Sequence, residues 1–274
     1  MDTSFDILIL GGGPGGVSAA LTARARGRRA LVISNDAATS SLHKAHRIDN
    51  YPGLVGMSGA ELLEKMRGEL DALGIPVVTG RVTGVMAMGA QLMVSVGQDV
   101  YMGGAIILCT GSAQPKALPG EAELLGRGVS YCATCDGMLY RGKRVAVLGM
   151  SEDAETEADF LRDIGCEVAF FGKGSAKRFE IKGEGSVSAL VADGTEYPAD
   201  GVFILRDAVA STVLLPSLAM EDGHIAVDRA MRTSVPGVFA AGDCTGRPYQ
   251  IAKAVGEGNI AALSADAYIK ENTK

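Results

Sequence analysis

The 274-residue chain has room for one large domain or two modest ones. A hydrophobic fraction of 47% and a charged fraction of 21% exclude a mainly disordered or coiled-coil chain. A net charge of −6 argues against nucleic-acid binding, which needs a basic surface to neutralise phosphates. No apolar run approaches the ~18 residues that span a bilayer, so no membrane segment is expected. Met1 to Phe5 lead straight into a strand and do not read as a signal peptide, so a cytoplasmic location is expected. Glycine is the outlier at 37 residues, about twice the ~7% average. The five cysteines are Cys109, Cys132, Cys135, Cys166 and Cys244. An odd count without an export signal argues against a disulfide-stapled secreted fold, and Cys132 and Cys135 have the C-x-x-C spacing.

Phe5 to Leu10 reads as a short buried strand. Gly11-Gly12-Gly13-Pro14-Gly15-Gly16 follows, then a helix from Val17 to Arg26 and a second strand, Ala30 to Ile33. Strand, glycine-rich turn, helix and strand in this order make a dinucleotide-binding βαβ unit. Gly11, Gly13 and Gly16 fit G-x-G-x-x-G. The first permits the tight turn, the second lets the backbone approach a pyrophosphate, and the third lets helix and strand pack closely. The helix start offers free N–H groups and a partial positive charge to the anion. The acid that usually ends the second strand is missing. Ser34, Asn35 and Asp36 stand there, and any of the three could take the ribose hydroxyls.

Ser58-Gly59-Ala60-Glu61 reads as a capping box opening a helix to about Leu73. Val77 to Met88 and Gln91 to Val96 read as a β-meander, and Ala105 to Cys109 as a buried strand ending at Thr110-Gly111-Ser112. Pro115 and Pro119-Gly120 mark a boundary. Val145 to Leu148, Glu152 to Ile164 and Glu167 to Phe171 then form a second βαβ unit. Ser186 to Ala192 and Val202 to Leu205 read as strands. Gly237 to Ala241 is a last strand entering Gly242-Asp243, and a helix from about Gln250 to Tyr268 closes the chain. This order predicts an α/β protein of two Rossmann-like nucleotide-binding domains of three-layer ββα type, the second inserted into the first and reduced in size. The first would comprise residues 1–113 and 237–274, the insert residues 114–236.

Ser130-Tyr131-Cys132-Ala133-Thr134-Cys135-Asp136-Gly137 resembles the active-site segment of low-molecular-weight thioredoxin reductases. Gly237-Val238-Phe239-Ala240-Ala241-Gly242-Asp243 resembles the flavin-binding segment of that family, and Asp49-Asn50-Tyr51-Pro52-Gly53 its short flavin-side motif. The likeness covers nearly the whole chain in the right order. It implies FAD in the first nucleotide fold, with Gly11, Gly13, Pro14, Gly15 and Gly16 at the pyrophosphate. It places Asn50 against the flavin, Val82 beside the adenine, and Gly242 and Asp243 at the ribityl and pyrophosphate. Gln250, Ile251 and Ala252 would open the last helix toward the flavin's pyrimidine edge. Ser34, Asn35, Thr110 and Gly111 complete the candidate cofactor set. The resemblance assigns Cys135 to the flavin side, Cys132 to exchange with thioredoxin, and Asp136 to protonation of the leaving thiolate. It also implies a homodimer, to which an apolar stripe around Ile260 and Leu263 would contribute, although core packing explains that stripe equally well.

The second nucleotide site departs from the family. NADPH-using members carry a glycine-rich turn where this chain has Gly149-Met150-Ser151-Glu152-Asp153-Ala154-Glu155. Ser151 puts a Cβ where a pyrophosphate would approach. Glu152, Asp153, Glu155, Glu157 and Asp159 load the helix start with carboxylates that repel an anion and also cap a helix well. The expected arginine run is replaced by Gly172-Lys173-Gly174-Ser175-Ala176-Lys177-Arg178, and a Gly-Gly-Gln element by Ser40-Ser41-Leu42-His43-Lys44. His43 and His46 have no carboxylate or cysteine at ligand spacing, so no metal is expected. In these losses the chain is similar to the ferredoxin-dependent flavin thioredoxin reductases. That implies reduced ferredoxin as donor and a basic landing patch, either Arg141, Lys143 and Arg144 or Lys173, Lys177, Arg178 and Lys182. Three alternatives stay open: an NADPH-dependent reductase with a divergent pocket, a non-catalytic flavin and CxxC redox sensor, and a reductase for another CxxC protein. Cys109, Cys166 and Cys244 are expected to be buried small hydrophobes.

Overall fold

The structure, a computed structural model, describes residues 3–35, 40, 42–88, 91–111, 117–151, 154–206 and 211–272. The chain divides into two compact units, Met1–Gln114 with Leu214–Lys274, and Pro115–Val213. The insert expected to run to residue 236 therefore gives way earlier. Leu215, Leu218 and Ile225 join Leu8, Val94 and Val238 in the first unit's core.

The first unit opens with β1 (Ser4–Leu10), α1 (Pro14–Ala25) and β2 (Ala30–Ser34). β1 and β2 pair in parallel, from Ile7 opposite Ala30 to Leu10 opposite Ile33. A strand covered on both faces needs apolar residues at successive positions, and Ile7, Leu8, Ile9 and Leu10 are all buried. α1 starts at Pro14 rather than Val17, because proline's fixed φ suits the first helical position and its missing N–H is not needed there. α2 (Gly59–Ala72) has the expected capping box: Glu61 N–H donates to Ser58 Oγ, and Ser58 N–H donates to the Glu61 carboxylate. β3 (Val77–Thr79) pairs in parallel with β2 and stands apart from the meander. The meander is β4 (Val82–Met88), β5 (Gln91–Val96) and β6 (Asp99–Leu108).

The second unit contains β7 (Val129–Ser130), α3 (Ala133–Asp136), β8 (Arg144–Gly149), α4 (Ala154–Asp163) and β9 (Glu167–Phe171). It continues with β10 (Phe179–Lys182), β11 (Ala189–Ala192), β12 (Thr195–Pro198) and β13 (Gly201–Leu205). A parallel sheet has the order β7-β13-β8-β9, and an antiparallel one the order β10-β11-β12. The sequence reading passes over β10 and β12. All four residues of β12 are exposed, so the strand carries no alternation of apolar and polar positions.

The chain returns through α5 (Ser211–Leu214) and a hairpin of β14 (Met220–Glu221) and β15 (His224–Ile225). β16 (Val238–Ala240) follows, and α6 (Ile251–Asn272) ends the first unit. The first unit's seven-stranded sheet has the order β3-β2-β1-β6-β5-β4, with β16 also on β6. The early part of β6 pairs with β5, and its end, Ile106 to Leu108, pairs with β16. Side chains alternate across the parallel strands. Ile7, Ile9, Val32 and Ile107 meet α1, α2 and α6, while Leu8, Leu10, Ile33 and Ile106 meet the meander. That is the three-layer ββα arrangement expected. It delivers the carboxyl ends of β1, β2, β6 and β16 to one edge, where α/β sheets bind ligands.

Candidate functional site

In the first unit the glycine-rich turn follows Leu10. Gly11 has φ +121°, and a Cβ on it would overlap the Cys109 carbonyl. A Cβ on Gly16 would overlap the Gly11 carbonyl oxygen. Gly13 differs from both: its φ is −79°, and a Cβ there would meet no protein atom within 4 Å. The space above Gly13 is thus open on the side where the backbone turns into α1. Val17 N–H makes the first bond of the helix, to the Gly13 carbonyl at 2.9 Å. The N–H groups of Gly15 and Gly16, after Pro14, have no intrahelical partner. These amides and the helix's partial positive charge fit a pyrophosphate.

Ser34 lies beside this turn, since a Cβ on Gly12 would come within 2.8 Å of its Oγ. Ser34 Oγ donates to the Asn35 carbonyl at 3.0 Å, and Arg67 donates to the same carbonyl at 3.2 Å. Val82 opens β4 two residues after Gly80, whose N–H donates to the Ser34 carbonyl at 3.0 Å. Thr110 and Gly111 follow the end of β6. Asp36, Ser41, Ser112, Glu152 and Asp153 lie outside the described residues.

Asn50 and Gln250 come from distant parts of the chain and meet, Asn50 Nδ2 donating to Gln250 Oε1 at 2.7 Å. Ile251 and Ala252 then begin α6. Gly242 and Asp243 follow β16. The Gly242 N–H donates to Glu257 Oε2 at 2.8 Å, and Lys253 Nζ donates to the Gly242 carbonyl at 2.9 Å and to Glu257 at 3.0 Å. An i,i+4 ion pair on α6 therefore clamps both sides of the glycine. The sequence reading missed Lys253 and Glu257, although their spacing on a helix was a usable signal. Burial pushes the Asp243 carboxyl up, with Lys253 opposing and Glu257 adding to the shift. Burial also pushes the Cys109 thiol well up and Cys244 to about 11. Both stay protonated and unreactive at neutral pH. Cys166 and Cys244 are buried as expected, and Cys109 is half-buried.

In the second unit Cys132 and Cys135 form a disulfide. Cys132 caps α3, and its Sγ accepts the Cys135 N–H at 3.2 Å. Cys132 is 5% exposed, whereas Cys135 is exposed and Asp136 half-buried. Ser130 touches two members of the motif. Its hydroxyl donates to Asp136 Oδ2 at 2.7 Å and accepts the Cys132 N–H at 3.2 Å. From α4, Glu157 Oε2 accepts the Ala133 N–H at 2.9 Å. Behind the motif Tyr131 donates to Glu121 Oε1 at 2.9 Å, and Arg206 and the Leu118 N–H bind the other carboxylate oxygen. Glu121 has no exposed surface, and burial together with its charge pushes the Tyr131 phenol far up. This buried pair fixes the chain entering the CxxC segment, and nothing in the sequence spacing joins Glu121 to Arg206.

The turn after β8 repeats the outline of the turn after β1 but not its chemistry. Met150 and Ser151 N–H groups both donate to the Leu205 carbonyl, at 2.7 and 2.9 Å. Their counterparts in the first unit, Gly12 and Gly13, donate to no group among the described residues. Glu155 and Glu157 lie in the first turn of α4. Beyond β9, Phe171 meets Phe179 and Tyr197 edge-on, with ring centroids 5.9 and 4.9 Å apart. Among the described residues no cluster of histidine, cysteine and carboxylate groups could hold a metal. No helix among them is long and apolar enough to cross a membrane.

The family model described as pyridine nucleotide-disulphide oxidoreductase matches residues 5–174 and 172–258. The thioredoxin reductase of Treponema pallidum is 32% identical over 302 aligned positions, covering 98% of each chain. The solved ferredoxin-flavin thioredoxin reductase of Clostridium acetobutylicum is 40% identical, with a TM-score of 0.85 over 100% of this chain and 99% of that one. A thioredoxin reductase from Gloeobacter violaceus is 33% identical, with a TM-score of 0.76 over 99% and 96%. The chain belongs to the pyridine nucleotide-disulphide oxidoreductase family and is a flavin oxidoreductase of the thioredoxin reductase type. FAD is the cofactor of that family, and the cradle around Gly13 fits it.

Proposed function

We propose that this member of the family reduces thioredoxin with electrons taken from reduced ferredoxin rather than NADPH. The observation that carries the donor assignment is the turn after β8. A dinucleotide pyrophosphate needs free amides there, and the Leu205 carbonyl already takes those of Met150 and Ser151. The side chain of Ser151 and the carboxylates of Glu155 and Glu157 further disfavour an anion at this helix start. The likeness to the Clostridium ferredoxin-flavin enzyme supports the same reading. The energetics allow it: plant-type ferredoxins near −400 mV and thioredoxin near −270 mV differ by ~130 mV, about 6 kcal/mol downhill for two electrons.

Bound FAD supplies the electron pair that the disulfide draws on. Gly13, Gly15 and Gly16 would hold its pyrophosphate with their amides. Ser34 or Asn35 would take ribose hydroxyls, and Val82, Thr110 and Gly111 would line the nucleotide. Asn50, Gln250, Ile251 and Ala252 would border the flavin, and Gly242 and Asp243 the chain between ring and pyrophosphate. Two electrons break the S–S bond to leave sulfur anions at Cys135, on the flavin side, and Cys132. Asp136 gives one of them a proton, and Ser130 holds that carboxyl in place. The Cys132 thiolate, favoured by the Cys135 N–H, then attacks a thioredoxin disulfide sulfur and releases one thioredoxin thiolate. Cys135, its proton returned to Asp136, attacks Cys132 Sγ in the mixed disulfide, releases the second thioredoxin thiolate and re-forms the Cys132–Cys135 bond. Because Cys132 is only 5% exposed in this state, the attack requires it to be uncovered.

A cytoplasmic homodimer completes the proposal. Ile260 and Leu263 on α6 are 39% and 44% exposed, which supports a partner-facing stripe rather than core packing. The donor is tested anaerobically on the yellow protein by adding NADPH and, separately, reduced ferredoxin while following flavin absorbance. Bleaching by ferredoxin alone is expected. Rapid bleaching by NADPH would overturn the donor assignment.

A further inference from the structure

The carboxylate of Glu157 sits in the wrong place for a nucleotide but in a defined place for the disulfide. It projects from the first turn of α4 and accepts the N–H of Ala133 at 2.9 Å. That nitrogen is the peptide nitrogen directly following Cys132. We infer that Glu157 is a positioning residue for the redox pair, whose negative charge, held on the amide next to Cys132, disfavours the Cys132 thiolate relative to the CxxC backbone alone. This rests on the reading above that Cys132 exchanges with thioredoxin.

Left to itself, the Cys132 sulfur receives the Cys135 N–H, a contact that stabilises a thiolate and lowers the thiol pKa. A carboxylate hydrogen-bonded to the next amide opposes that stabilisation, because a like charge nearby disfavours the sulfur anion. The direction matters for a reductase. A pair whose reduced form is strongly stabilised by a low-pKa thiolate becomes an oxidant. Holding the Cys132 pKa closer to ambient pH keeps the pair reducing. It also keeps the thiolate a strong nucleophile, because nucleophilicity falls with pKa.

Among the described residues, titratable groups near the segment include Asp136 at the end of α3, Tyr140 in the short helix after it with Lys143 over its ring at 5.4 Å, and the Glu121–Tyr131–Arg206 set behind it. All of them are common to the variants below, so a difference between those variants isolates Glu157. Its carboxylate is the group among these that bonds the amide of the cysteine pair.

The test uses the FAD-loaded protein with Cys135→Ser, so that Cys132 is the remaining thiol of the pair. Iodoacetamide modification of Cys132 is followed by peptide mass spectrometry from pH 5 to pH 9.5, in that parent and with Glu157→Gln or Glu157→Ala added. The midpoint of the rate profile should fall by about half a pH unit or more in both added variants, as loss of one nearby charge predicts. The Gln variant keeps an oxygen acceptor for Ala133, so its shift reports the charge rather than the hydrogen bond. A Gln profile that coincides with the parent, with or without a shift in Ala, overturns the inference and leaves Glu157 a structural cap. Because Cys132 is 5% exposed, its thiolate is also followed by ultraviolet difference absorbance, which needs no reagent access; coincident absorbance profiles in the parent and the Gln variant overturn the inference even where iodoacetamide does not react. A Cys132→Ser protein that still forms a mixed disulfide with thioredoxin through Cys135 overturns instead the assignment of Cys132 as the exchange thiol.

Discussion

If open space at a glycine marks a ligand and a blocked Cβ marks packing, alanine should separate the two in the first unit. Gly13→Ala and Gly258→Ala make the comparison. At Gly13 the backbone is extended, with φ −79° and ψ −175°, which alanine adopts freely, and no protein atom lies within 4 Å of the new Cβ. The flavin-free protein should lose nothing and gain about 0.4–1 kcal/mol from the stiffer unfolded chain. The same methyl group would press on the FAD pyrophosphate. An overpacking cost of about 1–3 kcal/mol corresponds to a roughly 5- to 150-fold rise in the FAD dissociation constant. At Gly258, within α6, a Cβ would overlap the Gly15 carbonyl oxygen and approach its carbonyl carbon to 2.9 Å. Alanine's helix preference returns about 1 kcal/mol, and the overlap with backbone costs more, so a net loss of about 1–2 kcal/mol is expected. The assays are urea unfolding of the flavin-free proteins and FAD rebinding by fluorescence quenching. Parental FAD affinity in Gly13→Ala would refute the cradle. A Gly13→Ala protein destabilised without flavin would show that packing, not a ligand, requires that glycine.

Asp266 gives a pH prediction. Its side chain is 3% exposed and accepts hydrogen bonds from Arg26 at 3.0 Å and from Arg28 and Lys270 at 2.8 Å. Burial alone would raise its carboxyl, but bonds from Lys270, Arg28 and Arg26 hold it well below the usual carboxylate range. Its stabilisation is therefore complete above the unfolded value of ~3.9 and is lost as pH falls through the lower folded value. Asp266→Asn should cost about 1.5–3 kcal/mol at pH 7, and urea melts should show that difference shrinking below pH 4. A difference independent of pH would refute the charge account. Reversing Arg141, Lys143 and Arg144 to Glu, or Lys173, Lys177, Arg178 and Lys182 to Glu, tests donor docking, since all seven are exposed. One set should slow ferredoxin turnover several-fold, more so at low salt, while chemical reduction of the flavin is unaffected. Unchanged turnover in both would end the electrostatic docking idea.

The frame of the first unit was legible because its signals are local. A buried apolar run, glycines at fixed spacing and a capping box each act within a few residues, and they yielded β1, β2 and α2 with nearly their observed limits. Pro14 stands within the glycine-rich run and reads as turn, although proline at a first helical position is itself a start signal. The CxxC motif was visible, but the groups that hold it were not. Ser130 reaches Asp136 by a local bond that a strand residue does not advertise. Glu157 reaches Ala133 from another element, and Glu121 finds Arg206 from 85 residues away. The end of the insert was misplaced for a similar reason. Leu215, Leu218 and Ile225 carry no mark saying which core they enter, and only the packing with Val94 and Val238 assigns them to the first unit. β12 escaped because an exposed edge strand has no apolar face to display.

The two turns together separate what a fold asks of glycine from what a ligand asks. In the first unit Gly11 and Gly16 are required by neighbouring backbone, and Gly13 is required by nothing in the protein. In the second unit Gly149 holds the place of Gly11, and a Cβ there would run into the Phe170 ring and approach Ala154 to 3.1 Å. The position matching Gly13 is Ser151. A strand-to-helix turn can therefore keep its tight bend with one packing glycine while its ligand glycine is a residue with a side chain. Once no phosphate has to approach, the amides at that turn are free to be consumed. Buried backbone donors need partners, and the Leu205 carbonyl supplies one to both Met150 and Ser151. On the proposed donor assignment, Ser151→Gly should leave NADPH still unable to reduce the flavin, because the two donors remain committed to Leu205. Ser151→Gly that acquired rapid NADPH-driven flavin reduction would show that the side chain alone, and not the spent amides, had closed the site.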